Sequence, residues 1–134
     1  MTITAPPVPS TAVELYDVLD RLGSLGPTGD PRMCAALLRA VSTVEGLALR
    51  EVAAVDAYGT HLEVGQPSAV ALVQASVDCT QAVAGGTVRL ARRLDGDLRP
   101  LGELLVAGRL TRRHCGLLLP QVGVAQSSAD EQHA

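Results

Sequence analysis

TQAVAGGTVRLARRL, residues 80–94, is the stretch whose reading decides the fold. Thr80 can cap a helix, because its hydroxyl is able to accept one of the amide protons left unpaired in a first turn. From there Val83, Ala84, Thr87, Val88, Leu90, Ala91 and Leu94 recur at helical spacing on one side, while Gln81, Gly85, Arg89, Arg92 and Arg93 fall on the other. Upstream, SAVALVQAS (68–76) makes a short helix and Val77, Asp78 and Cys79 a tight turn. Helix, turn and capped helix with an arginine face describe a candidate nucleic-acid reader. They equally describe an ordinary helical hairpin whose arginines face water.

The composition suits helices. The chain has 134 residues, the size of one domain, and 47% hydrophobic content, enough to build a core. It contains no Phe or Trp, and only Tyr16 and Tyr58 are aromatic, so Leu, Val and Ala must fill the interior. Small aliphatic residues favour closely packed helices over a large sandwich of sheets. No segment shows convincing alternation with a period of two, and the expected fold is all-α.

Charge is polarised along the chain. The net charge of -3 argues against a generally basic nucleic-acid binder. Residues 80–120, however, hold seven arginines (Arg89, Arg92, Arg93, Arg99, Arg109, Arg112, Arg113) against Asp95, Asp97 and Glu103, a local excess of four. The remainder holds four arginines against eleven acids. Every basic residue is Arg and none is Lys, which GC-rich coding explains as readily as function does.

Cys34, Cys79 and Cys115 are odd in number and lack paired spacing, so reduced thiols are expected rather than a disulfide framework. The start, MTITAPPVPS, has neither a basic region nor an apolar stretch of the kind signal peptides carry. No uncharged apolar run reaches the roughly 18 residues of a membrane span. The expectation is a cytoplasmic protein with no membrane partner.

In chain order, residues 1–10 are Pro- and Thr-rich and are expected to be disordered. Ser10 or Thr11 caps a helix near 11–22 with Val13, Leu15, Tyr16, Val18, Leu19 and Leu22 as its apolar stripe. GSLGPTGD (23–30) is a loop, and Asp30-Pro31 is a strong helix start. Leu37, Val41, Val44, Ala48, Val52, Val55, Tyr58 and Leu62 then predict one long central helix over 31–64, about 50 Å at 1.5 Å per residue. Gly46 inside it marks a close crossing or a kink, at about 1 kcal/mol relative to Ala. Further helices are expected near 67–77, 80–94, 100–107 and 111–119, with Gly108 closing the fifth and Thr111 capping the sixth. The last two form a second helix–turn–helix directly after the first. The domain would thus run over 11–120, followed by a tail at 121–134 in which Ser128 and Glu131 announce a capping box that the last three residues leave unused. That tail is either disordered or the mark of a truncated chain.

Taken together, AVDAYGTHLEVGQPSAVALVQASVDCTQAVAGGTVRLARRL and LLVAGRLTRRHCGLLL resemble the helical domain of unknown function 222 (DUF222), familiar from actinobacterial 13E12 repeat proteins, where it precedes an HNH endonuclease domain. The resemblance rests on Asp56 and Gly59, on Ser68, and on the Thr80-capped helix with Arg89-Leu90-Ala91-Arg92. Ala107-Gly108-Arg109-Leu110-Thr111 and His114 complete it. It covers residues 41–122. An aromatic after Ser68 and a Glu near Val83 are usual in that pattern and are missing here, marking a divergent copy. The resemblance implies an all-helical module associated with a nuclease, and a chain that continues further.

The sequence predicts that this chain does not carry the nuclease chemistry itself. An HNH centre needs a base histidine and metal ligands gathered on a ββα unit, whereas His61, His114 and His133 are widely separated. His114 and Cys115 are neighbours, about 100° apart on a helix, and no metal-ligand spacing such as HExxH or CxxC occurs. Gly85-Gly86 lacks the preceding strand and third glycine of a phosphate loop. The sequence therefore predicts no catalytic residues, no metal site and no cofactor. Two functions remain. One is a DNA-binding module using Arg89, Arg92, Arg93, Arg99, Arg109, Arg112 and Arg113 against phosphates beside a nuclease domain. The other is an interaction scaffold, packing on another protein or another copy of itself, with the arginines paired to acids of the N-terminal half.

Overall fold

The structure, a computed structural model, describes residues 11–110. The described residues are all-α, with no strand among them: α1 (Ala12–Gly23), α2 (Pro31–Tyr58), a 3-10 turn (Thr60–Val64), α3 (Ala69–Val77), α4 (Gln81–Asp95) and α5 (Arg99–Val106). Residues 1–10, the helix expected over 111–119 and the tail at 121–134 lie outside the described residues. None of the described helices is long and apolar enough to cross a membrane.

The chain divides into two compact units, one ending at Met33 and one beginning at Cys34. In the first, the Thr11 hydroxyl caps α1 by accepting from the Glu14 amide at 3.2 Å. No residue of α1 is buried: Val13, Leu15, Tyr16, Leu19 and Leu22 form the apolar stripe the sequence predicts, and all are exposed. At the start of α2 the Asp30 carboxylate accepts from the Arg32 amide at 2.9 Å, the cap anticipated from Asp30-Pro31.

The second unit is built on α2, and here two expectations need correction. The helix does not run to residue 64. It ends at Tyr58, a length of about 42 Å, because Gly59 takes a left-handed backbone (φ 70°) and its amide closes on Val55 O at 2.9 Å. Residues 60–64 tighten into a 3-10 turn that Gly65, also left-handed, terminates. Leu62 keeps the apolar rhythm but stays exposed.

The second correction concerns the face that meets the core. Leu37, Val41 and Val44, the large aliphatics of the expected stripe, are exposed, and Val52 and Val55 are half-buried. The buried face is Ser42, Gly46, Leu49 and Ala53. It has the same helical spacing but smaller side chains, because another helix crosses it closely. At Gly46 an added Cβ would lie 2.8 Å from Val106 N and 2.9 Å from Val106 Cγ2, so α5 rests directly on the α2 backbone. At Gly102 an added Cβ would lie 3.0 Å from Leu94 O, bringing α5 equally near α4.

Leu49, Ala53, Leu90, Ala91, Leu94 and Leu105 make the core cluster, with Val52, Leu98, Leu101 and Leu110 packed against it. Close backbone approach lets these small side chains fill the interior without an aromatic ring. α5 ends in a Schellman motif, with Gly108 N donating to Leu105 O and Arg109 N to Leu104 O, both at 2.9 Å. Gly108 (φ 72°) lies against Arg39 and Thr43 of α2. The buried Ser42 hydroxyl then donates to Leu105 O at 3.1 Å and lies in hydrogen-bonding contact with Leu110 O, fixing the path of the chain after α5.

Candidate nucleic-acid interface

α3 and α4 form the helix pair predicted from residues 68–94. Ser68 caps α3 by accepting from Ala71 N at 3.0 Å, and Asp78 ends it with a left-handed turn (φ 48°). Thr80 caps α4 by accepting from Val83 N at 3.2 Å. Ala84, Val88, Leu90, Ala91 and Leu94 are buried, so the apolar side of α4 is the one expected, although Val83 stays exposed.

The arginines of the opposite side are placed unequally. Arg92 reaches α2 and grips Asp56 with two parallel bonds, Nε to Oδ2 at 2.6 Å and Nη2 to Oδ1 at 2.9 Å. The Arg92 hydrogen bond holds the Asp56 carboxyl below its ordinary range, against a smaller opposing effect of desolvation, and the same contact raises Arg92. Arg93 donates to Asp97 one turn later at 3.1 Å, and that contact lowers Asp97. Arg99 donates to the Asp95 carbonyl at 2.9 Å, holding the chain between α4 and α5. Three of the seven arginines are thus engaged within the fold.

Arg89 and Arg109 form no ion pair among the described residues, and both are exposed. The Arg89 guanidinium lies back over the two glycines of its own helix: a Cβ at Gly85 would be 3.3 Å from Nη1 and one at Gly86 3.8 Å from Nη2. Arg112 and Arg113, with His114 and Cys115, lie outside the described residues.

Two features escaped the sequence reading. Arg50 joins Arg99, Asp95 and Glu103 around a cleft of about 200 Å³ between α2, α4 and α5, so the cleft is mixed in charge. A larger apolar groove of about 380 Å³ lies between α2, α3 and α4, with Leu49, Val52, Leu72 and Val73 among its lining. Val52 and Val55, which the sequence placed only in the apolar stripe of α2, line it. Among the described residues no three His, Cys, Asp or Glu side chains are grouped so as to hold a metal ion. His61 uses Nδ1 in a 2.9 Å contact with Gln66 O, within the turn after α2.

Comparison of the chain with family models, with curated proteins and with solved structures gave no significant match.

Proposed function

We propose that this chain is a non-catalytic helical interaction module, which packs its uncovered apolar faces on another protein surface. One observation carries the reading: apolar residues are left open while three of the arginines, though at the surface, are engaged by acceptors of the fold itself. Leu15, Leu19 and Leu22 on α1, and separately Leu37, Leu38, Val41 and Val44 on α2, are exposed, whereas Arg92, Arg93 and Arg99 are spent on Asp56, Asp97 and the Asp95 carbonyl. Contiguous apolar patches of this kind mark interaction surfaces on water-exposed domains. The DUF222 resemblance supplies the context, a helical segment ahead of an HNH nuclease domain, with that domain or a second copy as the surface covered.

Light scattering across a concentration series, with an apolar dye as reporter, tests this. The expected result is concentration-dependent association together with dye binding, both reduced by Val41→Glu with Val44→Glu. A monomer at every concentration that binds no dye would rule the module out.

A second reading, DNA binding, has one observation in its favour. Arg89, exposed and without an acidic partner among the described residues, lies along a capped helix that follows a tight turn. Arg109 and the sequence positions Arg112 and Arg113 would extend such a contact. With three or four phosphate contacts, log K against log salt would slope by about −3 to −4, and Arg89→Gln would flatten it by about 1. Fluorescence anisotropy on a duplex at two salt concentrations distinguishes this from the favoured reading, under which there is no salt-dependent binding.

A further inference from the structure

The groove between α2, α3 and α4 is selective in what its walls can offer a ligand. Val52 and Val55 on α2 and Leu72 and Val73 on α3 line a volume of about 380 Å³, and all four are half-buried. Pockets for small molecules have this size and this build, mostly apolar with a few polar groups that fix orientation.

The polar groups here are nearly all of one kind. The Ser76 hydroxyl donates to Leu72 O at 2.8 Å and the Thr87 hydroxyl to Val83 O at 3.0 Å, each one turn back in its own helix. Those protons are already used. The charged lining residues are Glu45 and Glu51, which when ionised can only accept, and no basic side chain among the described residues lines the groove. Apart from the weakly polar thiol of Cys79, the lining therefore presents acceptors, and a matching ligand must bring the donors.

Glu45 says more than Glu51, which is exposed. It is half-buried and forms no hydrogen bond or ion pair among the described residues. A carboxylate partly withdrawn from water gains more from a cation than a fully solvated one does.

We propose that this groove binds a small organic cation, an aliphatic or aromatic body carrying one protonated amine. The body lies against Val52, Val55, Leu72 and Val73, and the ammonium donates to Glu45. An organic anion of the same shape would set its charge against two carboxylates, and a neutral apolar molecule would leave Glu45 without a partner. The groove is separate from the exposed faces of α1 and of the first half of α2, so this proposal and the function proposed above can each fail alone.

Three probes that share a body and differ in one group test it: 4-phenylbutylamine, 4-phenylbutanol and 4-phenylbutyrate. Each is titrated at pH 7 into the full chain and followed by NMR through the methyl groups of Val52, Val55, Leu72 and Val73. The amine is expected to bind about fivefold more tightly than the alcohol, the scale of one partly exposed ion pair, and the butyrate more weakly than either. Glu45→Gln should remove the advantage of the amine over the alcohol. Ala48→Phe, a change at an exposed lining position, should crowd the groove and weaken all three. No saturable shift, equal affinity for amine and alcohol, or tighter binding of the butyrate would overturn the proposal. So would a preference that survives Glu45→Gln, or binding that Ala48→Phe leaves unchanged.

Discussion

Arg92 and Asp56, 36 residues apart in the chain, meet through two hydrogen bonds that tie α4 to the last turn of α2. Arg92 remains more than half exposed while Asp56 is only 21% exposed, so solvent screens one end of the pair. Its contribution therefore lies near the upper end of exposed pairs, up to about 1 kcal/mol. The Asp56 carboxyl titrates below its ordinary 3.8 in the folded protein. A depressed acid stabilises above the unfolded value and loses that effect as pH falls through the folded one. Asp56→Asn should lower the thermal midpoint at pH 7, and the difference from the parent protein should shrink once the pH drops below 3.8. Melts followed by circular dichroism at both pH values check it.

Gly46 and Gly85 should respond to alanine in opposite directions. At position 46 the new methyl meets the Val106 backbone at 2.8 Å, and a backbone cannot swing aside as a side chain can. The expected cost is about 1–3 kcal/mol. At position 85 it meets only the tip of Arg89, at 3.3 Å, which is free to move. Removing a mid-helix glycine then stabilises by about 0.5–1 kcal/mol. Urea unfolding midpoints of the two variants decide it.

Ser42→Ala removes the hydroxyl shared by Leu105 O and Leu110 O at a buried site. A loss of about 1 kcal/mol is expected, larger than for a surface serine such as Ser76, because the Leu110 carbonyl loses this donor. Limited proteolysis should also cut sooner near Leu110 in the variant. Equal cleavage rates in the two proteins would mean that Ser42 does not hold the chain there.

Among the arginines, Arg89→Gln should leave the unfolding midpoint within about 0.5 kcal/mol of the parent, whereas Arg92→Gln should lower it measurably. The comparison separates arginines the fold uses from those left available to a ligand.

Local signals were legible in the sequence and distant ones were not. The caps at Thr11, Asp30, Ser68 and Thr80 each depend on residues within three positions, and each is present in the structure. Gly46 was legible as either a close crossing or a kink, and the structure shows the crossing; Gly108 was legible as a helix stop. The end of α2 was not, since the apolar rhythm passes through Gly59 without interruption. The buried face of α2 was hidden for a related reason. Periodicity weighs large aliphatics most heavily, and here the core side carries Ser42, Gly46 and Ala53. For the candidate interface, sequence located the arginines and offered acids of the N-terminal half as their partners, but not which ones: Asp56 is brought to Arg92 only by the crossing of α2 and α4.

The glycines at positions 46, 102 and 108 also set which substitutions this fold can accept. Each lies where the backbone of another segment comes within reach of a Cβ, and Gly108 adds a left-handed backbone. A smaller neighbour at position 106 could not accommodate a side chain at 46, because part of the obstruction is the Val106 amide itself. Substitution at these sites requires the helices to move apart, while Leu, Val and Ala can exchange among the remaining core positions as long as volume is kept. Under accumulated substitution the spacing of these three glycines should therefore outlast the identity of the aliphatic residues around them.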